Sequence, residues 1–173
     1  TSGIAAAVAA AERGVQVACL EPHGDPGGTR TAGGVSKYWF GRWPPYLRAW
    51  EAAVQKSVRE EGWCVAQALL DRASRAGVIR LPGMAACGVA ARDRRVAAVF
   101  AVAPGGLVRL DAPLIVDATG DGDLAAFAGA PYAYGTGRDE ATLWCSFGSF
   151  LEGRDEASRH YHTVADVRSL WDA

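Results

Sequence analysis

The stretch LIVDATGDGDLAAFAGAPY, residues 114–132, decides how the rest of the chain is interpreted. Its first part, residues 114–116, predicts a short buried strand, and residues 124–130 predict the first turns of a helix. A glycine turn with three aspartates lies between them. In α/β proteins, a turn at such a strand exit usually faces a cofactor. Asp121 and Asp123 also suit the N-terminal cap of the helix, and the two roles are compatible.

Length, composition and charge limit the classes of protein to which the chain can belong. Half of the 173 residues are hydrophobic and 21% are charged, which is typical of a folded globular protein. The formal net charge of -1 lacks the excess of positive charge that is typical of proteins that bind nucleic acid or an anionic membrane. We therefore expect neither nucleic acid nor a membrane as a partner.

The cysteines, the histidines and the apolar runs carry no further signal. Four scattered cysteines without a CxxC pair indicate neither a zinc site nor a redox dithiol, and buried thiols of this kind suit a cytoplasmic protein. No ligand cluster accompanies His160 and His162, so no metal is expected. The early apolar run, residues 4–11, is too short to span a bilayer and wrongly flanked for a signal peptide.

The start of the chain predicts a helix followed by a strand. Ser2 suits the N-cap of a helix that ends at Gly14 and carries one apolar stripe at helical spacing (Ile4, Val8 and Ala11). The apolar run of residues 15–20 then predicts a strand that ends at Glu21. Together these elements form a βαβ unit that lacks its first strand.

In a dinucleotide-binding unit, two of these residues have defined roles. Gly3 takes the place of the third glycine of GxGxxG, which permits close packing of the helix on a strand. Glu21 follows at nearly the spacing at which an acidic side chain binds the adenosine ribose. On these two residues alone, an ordinary amphipathic helix followed by a strand with a solvated glutamate stays an open alternative.

A long loop follows, with two glycine doublets, Gly27–Gly28 and Gly33–Gly34. Glycine lets backbone N–H groups approach phosphates or a planar ring. The loop also contains an apolar aromatic cluster that is unsuited to water (Tyr38, Trp39, Phe40 and Trp43). Both features favour a functional loop over a flexible surface loop.

The middle of the chain predicts two helices, a strand and a small meander. The helices cover residues 47–58 and 65–76 and are separated by Gly62, and residues 78–81 predict a strand. Three further strands are predicted at residues 84–91, 96–102 and 107–110, with turns near Asp93 and at residues 104–106. The predicted fold is α/β, a Rossmann-like parallel sheet that lacks its first strand and carries a three-stranded β-meander insertion.

In this order the elements resemble FAD-dependent oxidoreductases of the glutathione-reductase type, in particular the subgroup whose hallmark is written here as VDATGDGDLA, residues 116–125. The other matching pieces are the TSGIAAAVAAAERG helix, CLEP, PGGTRTAGGV, AGVIRL and the meander. The resemblance implies a partial FAD-binding domain at residues 1–135. Residues 136–173 are then the start of a truncated substrate domain, with a strand around Phe147, and the chain is expected to be a fragment.

The resemblance also implies which residues contact FAD. Ser2 and Gly3 border the pyrophosphate at a helix N-terminus, where the macrodipole and free N–H groups favour anions, and Glu21 holds the ribose. The remaining implied contacts are Gly28 and Thr29 at the phosphates, Gly33 and Gly34 at the flavin end, Ala86 at the adenine through its main chain, and Thr119, Gly120 and Asp121 over the nucleotide.

The implied function is an FAD-dependent oxidoreductase that transfers a hydride or electrons to or from a small substrate. No motif marks a catalytic acid, base or nucleophile, and the activity of the fragment alone stays open. One alternative is a non-catalytic nucleotide-binding or interaction domain, because a missing first strand leaves neighbouring strands unpaired. The other is an NAD-dependent dehydrogenase, since Glu21 suits either ribose, although the meander and the DATG turn argue against it.

Overall fold

The computed structural model describes residues 1–35, 41–93 and 95–135, and the backbone of two short strands at residues 145–149 and 161–165. Contacts divide the chain into two units, Thr1–Ala130 and Pro131–Ala173. The elements of the first unit are α1 (Ser2–Ala11), β1 (Ala18–Glu21), a 3₁₀ turn (Gly28–Arg30), α2 (Pro45–Glu60), α3 (Val65–Arg75), β2 (Ile79–Pro82), β3 (Ala85–Arg92), β4 (Arg95–Ala103), β5 (Gly106–Asp111) and α4 (Asp123–Phe127). The second unit contains β6 (Cys145–Ser149) and β7 (Tyr161–Ala165).

The main core lies between α1, α2 and α3. Apolar residues at helical spacing give each helix one buried face, as the sequence predicts. Trp50 and Val54 of α2 and Leu69 of α3 are 2%, 0% and 0% exposed. From α1, Ile4 and Val8 join the same cluster. This core fixes the three helices relative to one another and supports the loop that follows β1.

β1 and β2 form a parallel pair, with α2 and α3 in the crossover between them. The register runs from Ala18 opposite Ile79 to Glu21 opposite Pro82. The predicted strand at residues 15–20 therefore begins later, at Ala18, because the ladder starts only where β2 lies opposite. Val15, outside the ladder, is 57% exposed. Both strands end at the same edge, and that edge carries Glu21.

The predicted three-stranded meander is confirmed. β3, β4 and β5 form an antiparallel sheet, and Ala98 and Ala101 of the central strand are completely buried. The β3–β4 register shifts between Ala86 and Gly88. Asp93, in the predicted turn, adopts a left-handed conformation with a φ of 52°, which aspartate tolerates better than most residues. The structure is thus mixed α/β, with a parallel pair and a separate antiparallel sheet.

The predicted strand at residues 114–116 is wrong. These residues form no ladder, and Leu114 and Val116 are 76% and 61% exposed. The reason is that no strand in the described part of the chain pairs with this segment, and an apolar run without a partner leaves its backbone groups unbonded. The helix predicted beyond it does form, as the short α4, with Leu124 buried.

The second unit contains one antiparallel pair, in which β6 and β7 run from Cys145 opposite Ala165 to Ser149 opposite Tyr161. The strand predicted around Phe147 is therefore confirmed as β6. Several residues singled out in the sequence lie outside the described residues: Tyr38, Trp39, Phe40, Trp144, Phe150 and His160. In the part of the chain that is described, none of the helices has both the length and the apolarity needed to cross a bilayer.

Candidate functional site

The N-terminus of α1 is the centre of the candidate site. The helix begins at Ser2, so Thr1 and not Ser2 occupies the N-cap position. The Thr1 hydroxyl donates to the Gly27 carbonyl at 2.7 Å and does not cap the helix. The first N–H groups of a helix have no partner within the helix, and the macrodipole makes this end attractive to anions. Residues 1–4 thus form a start that suits a phosphate group.

The glycine loop, residues 26–35, lies directly beside this helix start. Gly27 has a φ of 124°, and a Cβ there would come within 2.7 Å of Thr31 Cγ2 and 3.0 Å of Leu69 Cδ1. Only glycine fits this position without strain. A Cβ on Gly28 would stand 3.8 Å from the Thr1 nitrogen, so the backbone of Gly28 runs past the helix start.

The second glycine doublet folds the loop back on itself. The Gly33 N–H donates to the Gly28 carbonyl at 3.0 Å, and the Val35 N–H donates to the Thr29 carbonyl at 2.9 Å. A Cβ on Gly33 would lie 2.8 Å from Thr29 Cα, which only glycine permits. Thr29 and both residues of the Gly33–Gly34 doublet are exposed. The loop therefore presents a fixed backbone surface beside α1.

An ion pair ties the glycine loop to α2. Both terminal nitrogens of Arg30 contact the Glu51 carboxylate, Nη2 to Oε1 at 2.7 Å and Nη1 to Oε2. The Arg30 side chain is only 9% exposed, and Gln55 donates a further hydrogen bond to Glu51 Oε1 at 3.1 Å. Sequence reasoning missed this pair, because its members are 21 residues apart and no local pattern links them.

The aspartate turn, residues 117–123, lies on another side of the same helix start. A Cβ on Gly3 would lie 3.0 Å from the Cβ of Ala118, tighter than most real contacts. The close packing predicted for Gly3 is therefore present, but its partner is the turn and not a strand. This contact brings Thr119, Gly120 and Asp121, all exposed, to the N-terminal end of α1.

Asp117 holds the aspartate turn together. Its Oδ1 accepts hydrogen bonds from the Thr119 N–H at 3.1 Å and the Thr119 hydroxyl at 2.8 Å, and its Oδ2 accepts from the Ala125 N–H at 3.0 Å. The N-cap of α4 is Gly122, without a side-chain cap. The cap expected from Asp121 or Asp123 is thus supplied by a more distant carboxylate.

The charge state of Asp117 follows from these bonds. Partial burial by itself raises the pKa of this carboxyl, but the hydrogen bonds from Thr119, Ala125 and Leu124 outweigh it and hold the pKa below its ordinary value. The group is therefore ionised at neutral pH. An ionised carboxylate accepts all of these bonds at once, and its charge suits the first turn of α4.

Glu21 lies at the end of β1, in a small cleft. The residues that line this cleft are Ile4, Cys19, Glu21, Gly24, Pro26, Arg80 and Pro82. The Glu21 carboxylate accepts a hydrogen bond from the His23 N–H at 3.2 Å, which leaves further acceptor positions for the hydroxyls of a ribose. Burial and then the nearby Glu21 carboxylate raise the pKa of the Cys19 thiol.

The first meander strand joins the same edge. The Met84 N–H donates to the Glu21 carbonyl at 3.2 Å, so β3 begins beside the end of β1. Ala86 follows two residues later and is half-buried. Its main chain lies at the register shift of β3, a kind of irregularity that is common next to functional sites.

The structure thus gathers the predicted residues into neighbouring groups. Hydrogen-bond donors and glycine backbone surround the start of α1, and a carboxylate lies at the end of β1, which is the donor and acceptor set that the two halves of a dinucleotide require. The group around α1 contains Ser2, Gly3, Gly28, Thr29, Thr119, Gly120 and Asp121, and the group at the β1 edge contains Glu21 and Ala86.

The described part of the chain contains no comparable grouping for metal or thiol chemistry. Among the described side chains, no group of three or more His, Cys, Asp or Glu residues is placed to hold a metal ion. Cys19, Cys64 and Cys87 are free thiols, and the latter two are exposed.

Comparison with known proteins identifies the family of the chain. The model of the FAD dependent oxidoreductase family matches residues 1–171, nearly the whole chain. A search of the curated proteins finds no match. The family match implies FAD as the cofactor, and an oxidoreductase would act on a small-molecule substrate. The chain belongs to the FAD-dependent oxidoreductase family.

Proposed function

We propose that this chain supplies the FAD-binding part of an oxidoreductase of the glutathione-reductase type, within the subgroup marked by VDATGDGDLA. The observation that carries the proposal is the 3.0 Å approach between a Cβ on Gly3 and that of Ala118. Together with the bond from Thr1 to Gly27, it gathers three separate segments at one helix N-terminus. We assign residues 1–135 to a Rossmann-like FAD-binding domain with a meander insertion, and residues 136–173 to the start of a substrate domain.

In this proposal the pyrophosphate of FAD lies at the start of α1. Ser2 and Gly3 supply first-turn N–H groups, and Gly28 and Thr29 border the phosphates from the glycine loop. The positive end of the helix dipole offsets the charge of the pyrophosphate. This arrangement needs no basic side chain at the phosphates.

The other contacts follow from the placement of the remaining residues. Glu21 holds the ribose hydroxyls, and the main chain of Ala86 meets the adenine at the same edge. Gly120 and Asp121 close over the nucleotide with Thr119, and Gly33 and Gly34 border the flavin end. These residues bind and orient the cofactor.

FAD itself supplies the hydride or electron transfer when it is bound. The family supports a small-molecule substrate, and the formal net charge of -1 gives no support to nucleic acid or an anionic membrane as a partner. A strained or reactive protein nucleophile is not required for this chemistry, because the protein contributes binding, orientation and electrostatics.

The test is a titration of the flavin-free protein with FAD and with FMN, followed by flavin fluorescence. FMN lacks the adenosine monophosphate half of FAD, so we expect it to bind at least about tenfold more weakly than FAD. Glu21→Ala should weaken FAD binding by about tenfold through loss of hydrogen bonds to a charged group. Glu61→Gln, a change of an exposed carboxylate at the end of α2, serves as the control. Equal affinity for FAD and FMN, or no effect of Glu21→Ala, would overturn the proposal.

A further inference from the structure

Hydrogen bonds to the Asp117 carboxylate hold the aspartate turn in shape, and the proposed FAD contacts do not account for them. The Asp117 carboxylate bonds to Thr119 on one side and to Ala125 on the other, so one side chain joins both ends of the turn. The Thr119 hydroxyl donates to Asp117 and accepts from the Asp123 N–H at 3.0 Å. The N–H and hydroxyl of Thr119 are therefore both engaged within the turn.

α4 needs this support. It has five residues, too few to be stable as an isolated helix, and no side chain at its N-cap position bonds to it. The bond from the Ala125 N–H to Asp117 satisfies one of its first-turn donors from outside the helix.

Asp117 is also connected to the nucleotide site. Ala118, the residue between Asp117 and Thr119, is the one that approaches Gly3. We propose that Asp117 is a positioning residue, whose carboxylate holds Ala118 against Gly3 and sets the shape in which Gly120 and Asp121 meet FAD. This inference rests on the proposed FAD site.

An aspartate is required at this position for a chemical reason. Oδ1 accepts from the N–H and the hydroxyl of Thr119, and Oδ2 accepts from the N–H of Ala125. Asparagine has the same shape but only one acceptor oxygen. If that oxygen faces Thr119, the amide nitrogen faces the Ala125 N–H, and two donors oppose each other. Asp117→Asn therefore breaks the support without a change in size.

The experiment measures FAD affinity and, without FAD, the exchange rate of the Ala125 amide hydrogen. Asp117→Asn should weaken FAD binding by about tenfold and accelerate exchange at Ala125. Asp111→Asn is the matched control, because this carboxylate is exposed on β5 and pairs with Arg109. It should change neither quantity.

A second pair of variants keeps the test decisive if Asp117→Asn does not fold. Thr119→Val removes the hydroxyl and should weaken FAD binding. Thr119→Ser keeps the hydroxyl and should bind FAD as tightly as the unaltered protein. The unfolding midpoint of each variant is measured alongside its FAD affinity. If the threonine side chain only stabilised the fold, Thr119→Ser and Thr119→Val would differ in FAD affinity only where they also differ in unfolding midpoint.

The outcomes separate the two proposals. If the unaltered protein and Asp117→Asn bind FAD within about twofold of each other, or if Thr119→Ser binds as weakly as Thr119→Val, the positioning role is wrong and the FAD site stands. If the unaltered protein does not bind FAD while Asp117→Asn still accelerates exchange at Ala125, the proposed function is wrong and the carboxylate supports only the turn.

Discussion

The glycine loop rests on the core of the first unit, whereas the aspartate turn is held by hydrogen bonds to one carboxylate. Under the loop lie Leu69 and the Arg30–Glu51 ion pair, both largely removed from water. The aspartate turn follows an exposed segment and leads into a helix of five residues. The two sides of one proposed site thus differ in how strongly the rest of the fold supports them. Substitutions under the glycine loop should therefore destabilise the whole first unit, whereas substitutions at the aspartate turn should change only the turn.

The largest expected effect comes from Leu69→Ala. Leu69 is completely buried beneath Gly27, so a cavity there should lower the free energy of unfolding by about 3 kcal/mol. The matched change Leu114→Ala, at a 76% exposed position before the aspartate turn, should lower it by less than about 0.5 kcal/mol. Chemical denaturation checks both values. Equal losses for the two variants would remove the contrast between the regions.

The next effect tests the ion pair under the loop. Glu51→Leu leaves the Arg30 guanidinium, 9% exposed, without its carboxylate and should lower the free energy of unfolding by about 2 kcal/mol. A second change, Arg30→Met, made in the same protein, should recover much of that loss, since no unpaired charge then remains. A double variant whose loss equals the sum of the two single losses would show that the pair is not coupled.

A smaller effect is expected at the contact between α1 and the aspartate turn. Gly3→Ala places a methyl group 3.0 Å from the Ala118 Cβ and should lower the free energy of unfolding by about 1 kcal/mol. FAD affinity should fall by about fivefold as the turn moves away. Ala118→Gly in the same protein removes the clash and should restore FAD affinity. If it does not, the Gly3–Ala118 contact does not position the turn.

The smallest expected effect is on the alkylation rate of Cys19, at the end of β1. Cys19 lines the cleft beside Glu21, and its raised pKa keeps the thiolate scarce at neutral pH, so alkylation should be slow. FAD should slow it by a further few-fold through coverage of the cleft, while labelling of the exposed Cys64 and Cys87 stays unchanged. Peptide mass spectrometry reads each rate. If FAD slows the alkylation of all three thiols equally, it does not lie over this cleft.

Much of the fold follows from local patterns in the sequence. α2, α3 and the meander carry clear periodicity and turn residues, α1 carries a short apolar stripe, and the structure confirms all of them. The strand predicted at residues 114–116 fails because an apolar run does not specify its partner, and strand formation depends on that partner. The start of β1 moved for the same reason.

The site could be predicted only where a motif marked it. Gly3 and Glu21 stand at spacings with a known physical purpose; Gly3 lies at the start of α1 and Glu21 at the end of β1. The motif VDATGDGDLA contains Asp117 but does not reveal its role, because its bonds to Thr119 and Ala125 depend on the conformation of the whole turn. The Arg30–Glu51 pair depends on how the loop packs on α2. Tertiary contacts of this kind leave no local sequence signal.

Amide hydrogen exchange of the protein with and without FAD tests the central claim most directly. The account predicts that FAD slows exchange most in three segments, namely residues 2–5, 27–30 and 118–125, and less in helix α3, where exchange slows only through the overall stabilisation of the fold. Slower exchange in all three would show that separate parts of the chain hold one nucleotide. If FAD binds while either the glycine loop or the aspartate turn exchanges at its original rate, the site is not built from both, and the account is contradicted.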